Sequence, residues 1–414
     1  MAEHENELAI LKTLSDNGLF EASFYENRPG RERDFFSSYE DFLELPFMVK
    51  SDIRNSPVFS RTTTPPKDVY GIFSSSGTTG KETFYVYNQK DKSVHAEFVR
   101  TFFSEVGVGP GDLGGVFAPV GTGVMAHSML WQFSTMGSAY VNCPTPDPDT
   151  IAEFVTDLPI SVIASHPGIM SGTVYRRDLR DTFRGSEVNT LALGGMFLSE
   201  PRRQLLEERW DAKCYSFFGM SEVFGPMAAE CRAQSGLHYL DKYLMIEVLD
   251  PRTGKPVEPG NVGLSVCTTL WDKGFPLLRY VTDDYVRVDA SPCECGSPLP
   301  RLIFEGRAGD CLTVGDGQVT VGPDPEASVD QYFFPKELES IIMPLGLTGE
   351  YQLRVDQPDS LTLMSHNWRE LPPESLSLDA VEDALRERLG TLVTVDLVDI
   401  SGDMTGLRPR FVNA

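Results

Sequence analysis

The sequence contains no long apolar run: none of its hydrophobic stretches approaches the about 20 residues that a membrane-spanning helix needs. Its first residues, MAEHENELAILKTLSDNGLF, are acidic and amphipathic and lack the basic, apolar and small-residue regions of a signal peptide. Cysteine is sparse, with seven scattered along the chain, and this odd number favours a reducing compartment over a disulfide framework. We therefore expect a soluble, cytoplasmic protein without a membrane partner.

Positive charge is also scarce, because 36 Lys and Arg stand against 60 Asp and Glu and leave a formal net charge of -24. Such a surface repels nucleic-acid backbones and anionic lipid, so neither is expected as a partner. An anionic ligand must instead be held by a local arrangement of donors.

Regular structure is predicted along most of the 414 residues, which suffice for two to three domains. From Val69 to about Val288, short β-branched or aromatic runs alternate with helical patterns, which predicts an α/β fold with a mostly parallel sheet covered by helices. The segment IEVLDPRTGKPVEPGNVGLSVCTTL differs, since two strands around a Gly/Pro/Asn turn predict an antiparallel subdomain.

The character of the sequence changes again after Gly306-Arg307-Ala308-Gly309-Asp310. Helix, hairpin, helix and strand patterns follow over about a hundred residues, as expected for a separate α+β unit behind a flexible joint. We predict a large domain at 1–308, a small mobile domain at 309–414 and a hinge at about 306–310.

A Ser/Gly-rich loop, Ser74-Ser75-Ser76-Gly77-Thr78-Thr79-Gly80-Lys81, directly follows a predicted strand. Small residues let backbone N–H groups and hydroxyls close around phosphate oxygens, with Lys81 as a point charge. The loop does not fit the Walker pattern, because Glu82 follows Lys81 where Ser or Thr would stand. Taken by itself, it could equally be a flexible turn.

Three further motifs occur in order: Phe218-Gly219-Met220-Ser221-Glu222, the segment PLLRYVTDD with Asp284 at its end, and the Gly306–Asp310 segment. Together with the loop SSSGTTGKET and flanking text such as ELPFMVKSDIRNS and YFFPKELES, they resemble the adenylate-forming ligases, within them the branch of phenylacetate–CoA ligase. The similarity extends over nearly the whole chain.

The resemblance implies an enzyme that activates a carboxylic acid with ATP and Mg²⁺ to an acyl-adenylate and transfers the acyl group to CoA. Glu222 would hold the Mg²⁺ ion, which prefers oxygen ligands, Asp284 would accept both ribose hydroxyls, and Arg307 would meet the nucleotide. It further implies a homodimer. The nucleotide site would comprise Ser75, Ser76, Gly77, Thr78, Thr79, Gly80 and Lys81, Gly194 and Gly195, and Phe218, Gly219, Met220 and Ser221.

The acid pocket implied by the resemblance would have an aromatic and thioether lining, which suits a flat aryl acid. His127, in GTGVMAHSM, would lie near the substrate carboxylate, although a histidine in an apolar setting can equally be a packing residue. The remaining lining residues could likewise be ordinary core; they are Val120, Met125, Met196, Phe217 and Phe218.

Four further residues have the composition of a metal site. Cys293 and Cys295 lie in a C-x-C-G knuckle, and Cys231 and His238 lie upstream in ECRAQSGLH. Three thiolates and an imidazole fit tetrahedral zinc, and the resembled branch carries a similar set bound to structural zinc. The alternative is four unrelated residues. We expect the other four cysteines to be buried small hydrophobes: Cys143, Cys214, Cys267 and Cys311.

The C-terminal tail departs from the family pattern, which places a lysine there to stabilise charge during adenylation. Leu407 occupies that position, and Arg408 or Arg410 could substitute for the lysine, since a guanidinium also binds phosphate. Gly309 also stands where Asp is common in the hinge motif.

Two other functions stay open at this point. The acyl-adenylate could be passed to an amine or a carrier protein instead of CoA. The chain could also be a ligase-derived nucleotide-binding protein with weak or no adenylation, because the tail lysine is missing.

Overall fold

The structure is a computed structural model that describes residues 4–26, 34–75, 82–121, 123–315, 317–347, 351–365, 377–396 and 410–413. Most of the Ser/Gly-rich loop, from Ser76 to Lys81, lies outside this range, and so does the tail segment with Leu407 and Arg408. Among the described residues, no helix combines the length and apolarity that crossing a bilayer requires.

The N-terminal segment is helical, as its sequence predicts. It consists of α1 (Glu5–Asp16), α2 (Ser23–Glu26), α3 (Tyr39–Leu43) and α4 (Lys50–Asn55). A two-stranded antiparallel hairpin of β1 (Val69–Ser75) and β2 (Thr83–Asn88) follows, and its two strands flank the Ser/Gly-rich loop. Only the first of these strands is predicted from the sequence.

The central part alternates strands and helices in the predicted positions. Its elements are α5 (Gln89–Glu105), β3 (Leu113–Phe117), α6 (Val124–Met136), β4 (Ala139–Cys143), α7 (Pro148–Asp157), β5 (Val162–Ser165), α8 (Pro167–Tyr175), α9 (Arg180–Arg184), β6 (Thr190–Gly194), α10 (Glu200–Trp210) and β7 (Lys213–Met220). Strands β3 to β7 pair in parallel in the order β7-β6-β5-β3-β4. Every residue of the inner strands β5 and β6 is buried, which explains the continuous apolar runs at these positions in the sequence.

The antiparallel strands continue the same sheet. They are β8 (Gly225–Glu230), β9 (Leu237–Tyr239), β10 (Leu244–Leu249), β11 (Gly263–Thr269), β12 (Tyr280–Asp289) and β13 (Arg301–Arg307). Within the described chain they extend the parallel strands into a sheet of eleven, in the order β10-β11-β12-β13-β9-β8-β7-β6-β5-β3-β4. The predicted antiparallel segment therefore adds an edge to the main sheet and does not form a sheet of its own.

The C-terminal part has its own apolar core, in which Leu338, Leu353 and Leu385 are buried together. Its elements are β14 (Leu312–Gly315), β15 (Gln318–Val321), β16 (Tyr332–Phe333), α11 (Pro335–Ile342), β17 (Tyr351–Gln357), β18 (Ser360–Ser365), α12 (Leu378–Leu389), β19 (Leu392–Asp396) and β20 (Arg410–Asn413). Strand β13 extends through Arg307 and is followed by a short 3₁₀ turn at Ala308–Asp310. The segment predicted as a hinge, 306–310, therefore consists of the end of β13 and this turn.

A buried ion pair connects the two parts. Arg202 on α10 contacts Glu339 on α11, with Nη2 2.6 Å from Oε1, and neither side chain is exposed by more than 2%. Arg202 also donates to the Ser171 hydroxyl, and Glu339 accepts hydrogen bonds from Ser199 and from Tyr351. Arg202 and Glu339 are thus hydrogen-bonded to each other and to neighbouring side chains in a buried contact.

Candidate active site

The carboxyl ends of the parallel strands form the floor of the site, where open α/β sheets generally bind ligands. Gly195, just after β6, has a φ of +90°, and a Cβ placed there would lie 2.9 Å from Met125 Sδ and 3.1 Å from His166 Cδ2. At the end of β7, a Cβ on Gly219 would lie 2.2 Å from the Gly225 carbonyl oxygen. A side chain at either position would overlap with these neighbouring atoms, so both positions require glycine.

Glu222 lies directly behind this border and is buried. The Tyr85 hydroxyl donates to its Oε1 at 2.8 Å, and the Tyr280 hydroxyl donates to the same oxygen at 3.0 Å. Lys50 Nζ approaches that oxygen to 3.7 Å. Tyr87 donates to the carbonyl of the preceding residue, Ser221, so the β1–β2 hairpin is bound to the glutamate segment at two points.

Lys50, which was not predicted from the sequence, also lies beside Glu222. Two backbone hydrogen bonds place it: Met48 N–H donates to the Arg279 carbonyl, and Val281 N–H donates to the Met48 carbonyl. This bridge lies next to Tyr280 on β12, so the first residue of α4 faces the carboxylates at the strand end. The pairing joins Met48 and Tyr280, which are more than two hundred positions apart, so it could not be predicted from the local sequence.

Helix α4 also lies beside the hairpin that carries the Ser/Gly-rich loop. Arg54 Nε, one turn after Lys50, is 3.4 Å from the Thr83 hydroxyl, and Thr83 pairs with Ser75 across the hairpin. The described ends of the loop, Ser75 and Thr83, are thus buried next to α4. Ser76, Gly77, Thr78, Thr79, Gly80 and Lys81 lie outside the described residues.

Asp284 and Arg307 come together on the paired strands β12 and β13, with Arg307 Nε 3.0 Å from Asp284 Oδ1. Burial raises the pKa of the Asp284 carboxyl to about 6, although Arg307 acts in the opposite direction. Burial likewise raises the pKa of Asp283, while Arg307 and Lys50 lower it. The site therefore combines closely spaced carboxylates with two cations, of which Arg307 remains 43% exposed.

The predicted acid-pocket residues do not all face one space. Phe217 is buried in the core with its ring 4.9 Å from Phe103, whereas the neighbouring Phe218 packs against Phe304 at 5.7 Å. Successive residues of a strand point to opposite faces, so Phe217 and Phe218 cannot line the same pocket. Both stay predicted pocket residues, on opposite faces of β7.

Other predicted pocket residues lie near α6. His127 places its ring 5.0 Å from Phe73, and its Nε2 is 3.0 Å from the Gly121 carbonyl oxygen. Val120 is 41% exposed, and Met125 contacts the Gly195 corner. Met196 follows that corner and is partly buried. An aromatic wall that the sequence did not predict is centred on Phe224, whose ring contacts those of Tyr70, Phe73, Tyr87, His95 and Trp131.

The predicted metal residues form one cluster. The ligand atoms of Cys231, His238, Cys293 and Cys295 all lie within 4.8 Å of one another. Cys231 Sγ is 3.7 Å from Cys293 Sγ, and a tetrahedral zinc ion with bonds of about 2.3 Å requires about 3.8 Å between sulfurs. The Leu299 carbonyl accepts from His238 Nδ1 at 2.8 Å, which leaves Nε2 directed at Cys295. The donor set and its spacing fit a closed zinc site.

The remaining cysteines are buried as predicted: Cys143, Cys214, Cys267 and Cys311.

Of the predicted tail cations, Arg410 begins the described strand β20 and Arg408 lies outside the described residues. Gly309 occupies the short turn after β13, and a Cβ there would meet no atom within 4 Å.

No protein-family model matches the chain. The phenylacetate–coenzyme A ligase of Thermus thermophilus is 28% identical over 399 residues, which cover 90% of this chain and 84% of that protein. The protein of the same name from Escherichia coli K12 is 25% identical over 392 residues, covering 90% and 85%.

Among solved structures, 2-hydroxyisobutyryl-CoA ligase in the postadenylation state with 2-HIB-AMP superposes with a TM-score of 0.83 at 18% identity, covering all of this chain and 90% of that one. The same protein in its thioesterification state gives a TM-score of 0.67 at 20% identity, with the same coverage. Over most of its length the chain is thus similar to phenylacetate–CoA ligases, and it has the fold of an adenylate-forming CoA ligase, in agreement with the resemblance of its motifs.

Proposed function

We propose that the protein activates a carboxylic acid with ATP and Mg²⁺ to an acyl-adenylate and transfers the acyl group to CoA. The observation that carries this proposal is the grouping of Glu222, Asp284, Arg307 and Lys50 beside the glycine-lined strand ends. Carboxylates for a cation and for ribose hydroxyls, with cations for phosphate, are the groups that a nucleotide and a carboxylate require.

Glu222 would hold the Mg²⁺ ion, and the observation that favours it is its second carboxylate oxygen. All hydrogen bonds to this side chain within the described residues go to Oε1, so Oε2 offers an oxygen ligand of the kind Mg²⁺ prefers. When bound, the ion neutralises phosphate charge.

The chain itself would orient the reactants. Asp284 would accept both ribose hydroxyls, and Arg307 and Lys50 would offset the negative charge of the phosphates. The substrate carboxylate attacks the α-phosphorus, forming the acyl–phosphate bond, and pyrophosphate leaves. The CoA thiol then attacks the acyl carbon, AMP leaves, and the thiol proton passes to solvent. Positioning and charge neutralisation carry most of this chemistry.

We propose an aromatic acid as the substrate. The partly exposed rings of Phe73 and His127 lie 5.0 Å apart, with the buried ring of Phe224 behind Phe73, and a flat ring packs well against such a wall. His127 would contact the substrate near its carboxylate.

For the metal cluster we propose structural zinc. Cys231 follows β8, His238 is on β9, and Cys293 and Cys295 lie in the loop between β12 and β13. A bound ion would thus fasten that loop to the neighbouring strands, and with four protein ligands it would take no part in catalysis. A homodimer and a cytoplasmic location stay predictions from the sequence, and sedimentation measures the first.

The test is a pyrophosphate-release screen over aryl and alkyl acids, with and without CoA. We expect release that depends on one class of acid, and a thioester only when CoA is added. If pyrophosphate is released and an amide or a carrier-protein conjugate forms in place of the CoA thioester, the acceptor is an amine or a carrier protein and not CoA. ATP binding without acid-dependent release for any acid would identify a nucleotide-binding protein that has lost adenylation, as the leucine at the tail position allows.

A further inference from the structure

Glu222 is held in an unusual way, since two phenols from different sheets donate to one of its oxygens. Tyr85 comes from β2 of the hairpin and Tyr280 from β12 of the main sheet. Both side chains are buried, at 0% and 3% exposed, and both bonds end on Oε1. Lys50 approaches the same oxygen. Within the described residues, no hydrogen bond reaches Oε2.

The two phenols approach the same carboxylate oxygen as hydrogen-bond donors, at 2.8 Å from Tyr85 and 3.0 Å from Tyr280. A protonated phenol has one hydrogen to donate, and here each directs it to the same carboxylate oxygen. Rotation of the carboxylate would break both bonds inside a buried site, so its orientation is fixed.

We propose that Tyr85 and Tyr280 are positioning residues for Glu222, which commit Oε1 to the protein and present Oε2 to the divalent cation that accompanies the nucleotide. Hydrogen bonds of this kind to a metal-binding carboxylate orient the ligand, and their loss typically weakens metal affinity by about 10- to 100-fold. This inference rests on the proposed function in one respect, namely that the cation arrives with a nucleotide. The orientation of the Glu222 carboxylate does not depend on which carboxylic acid is the substrate.

The test measures metal binding without turnover. Mn²⁺, a hard cation that also prefers oxygen ligands, is titrated into the protein with a non-hydrolysable ATP analogue and followed by electron paramagnetic resonance. The variants are Tyr85→Phe and Tyr280→Phe, alone and in a Glu222→Gln background. Tyr351→Phe is the matched control, since this buried phenol donates to the carboxylate of Glu339, away from the site.

We expect each site substitution to weaken Mn²⁺ binding by about 10-fold or more, with little effect on AMP binding in the absence of metal. In the Glu222→Gln background the same substitutions should change the Mn²⁺ affinity no further, and the control should bind like wild type at a comparable melting temperature. Two single variants provide separate measurements if one of them fails to fold.

The outcomes separate this inference from the proposed function. Wild-type Mn²⁺ affinity in both variants overturns the positioning role and leaves acid activation untouched. Weakened Mn²⁺ binding in a protein that activates no acid supports the positioning role and overturns the function. A wild type that binds no Mn²⁺ with the analogue overturns both.

Discussion

Replacing Asp284 by asparagine should stabilise the unliganded protein while impairing its nucleotide site. A pKa of about 6 against an ordinary value of 3.8 means that burial penalises the ionised form by about 3 kcal/mol. Because the pKa is raised on folding, the stability contributed by this group is present below pH 3.8 and is lost as the pH rises through 6. Asp284→Asn should therefore gain up to about 3 kcal/mol at pH 7.5, and less at pH 5.

Urea unfolding between pH 5 and 7.5, followed by tryptophan fluorescence, measures this gain. Three of the four tryptophans precede the hinge, so the signal reports the large domain. AMP affinity should fall by at least about 10-fold, since an amide offers one acceptor oxygen and no charge. Asp289→Asn on the same strand is the control, because hydrogen bonds from Ser291 lower the pKa of Asp289 and its loss should destabilise the protein at pH 7.5.

A loss of stability at pH 7.5 in Asp284→Asn, or a gain independent of pH, would refute the reasoning. A loss would mean that the ion pair with Arg307 fully offsets the burial of this carboxylate, and a gain independent of pH would mean that ionisation of Asp284 is not its source.

Three further substitutions test other parts of the structure. Lys50→Met should weaken binding of a non-hydrolysable ATP analogue by about 10-fold but leave AMP binding unchanged, with Lys50→Arg restoring it; equal losses for both nucleotides would contradict a role at the outer phosphates. Cys293→Ala should lower the bound zinc, measured by elemental analysis, from about one per chain to near zero and reduce the melting temperature; a metal-free wild type with the same stability would reject the zinc. Glu339→Gln should cost about 3 kcal/mol in urea unfolding, because it removes the negative charge that offsets the buried Arg202 guanidinium. The double change Arg202→Met/Glu339→Leu should cost far less, and similar costs for both would contradict the proposed penalty of an unbalanced buried charge.

The parallel half of the fold could be predicted because its inner strands, β5 and β6, are buried on both faces. Runs such as ISVIAS and TLALGG therefore have no polar alternation, and each is separated from the next by a helix. The placement of the antiparallel strands could not be predicted, since β13 pairs with β9, a strand from a distant part of the chain, as well as with its neighbour β12. Pairing of this kind leaves no periodicity in the local sequence.

The site divides in the same way. Glu222, Asp284 and the cysteine cluster have compact motifs with recognisable composition, so they could be named from the sequence. Lys50 could not, because its place depends on the bridge between Met48 and β12. Phe217 and Phe218 were predicted to line one pocket, yet they lie on opposite faces of β7, because the face that a strand residue occupies follows from register and the sequence leaves the register unspecified.

The ion pair between α10 and α11 bears on the mobility that the sequence predicts for the C-terminal part. Apolar contacts that part in water lose the whole of their burial energy, but charges that part regain their hydration. The Arg202–Glu339 contact can therefore fix one orientation of α11 through its directional bonds and still separate at little net expense. Such a contact would let α11 leave α10 and later return to the same position on it.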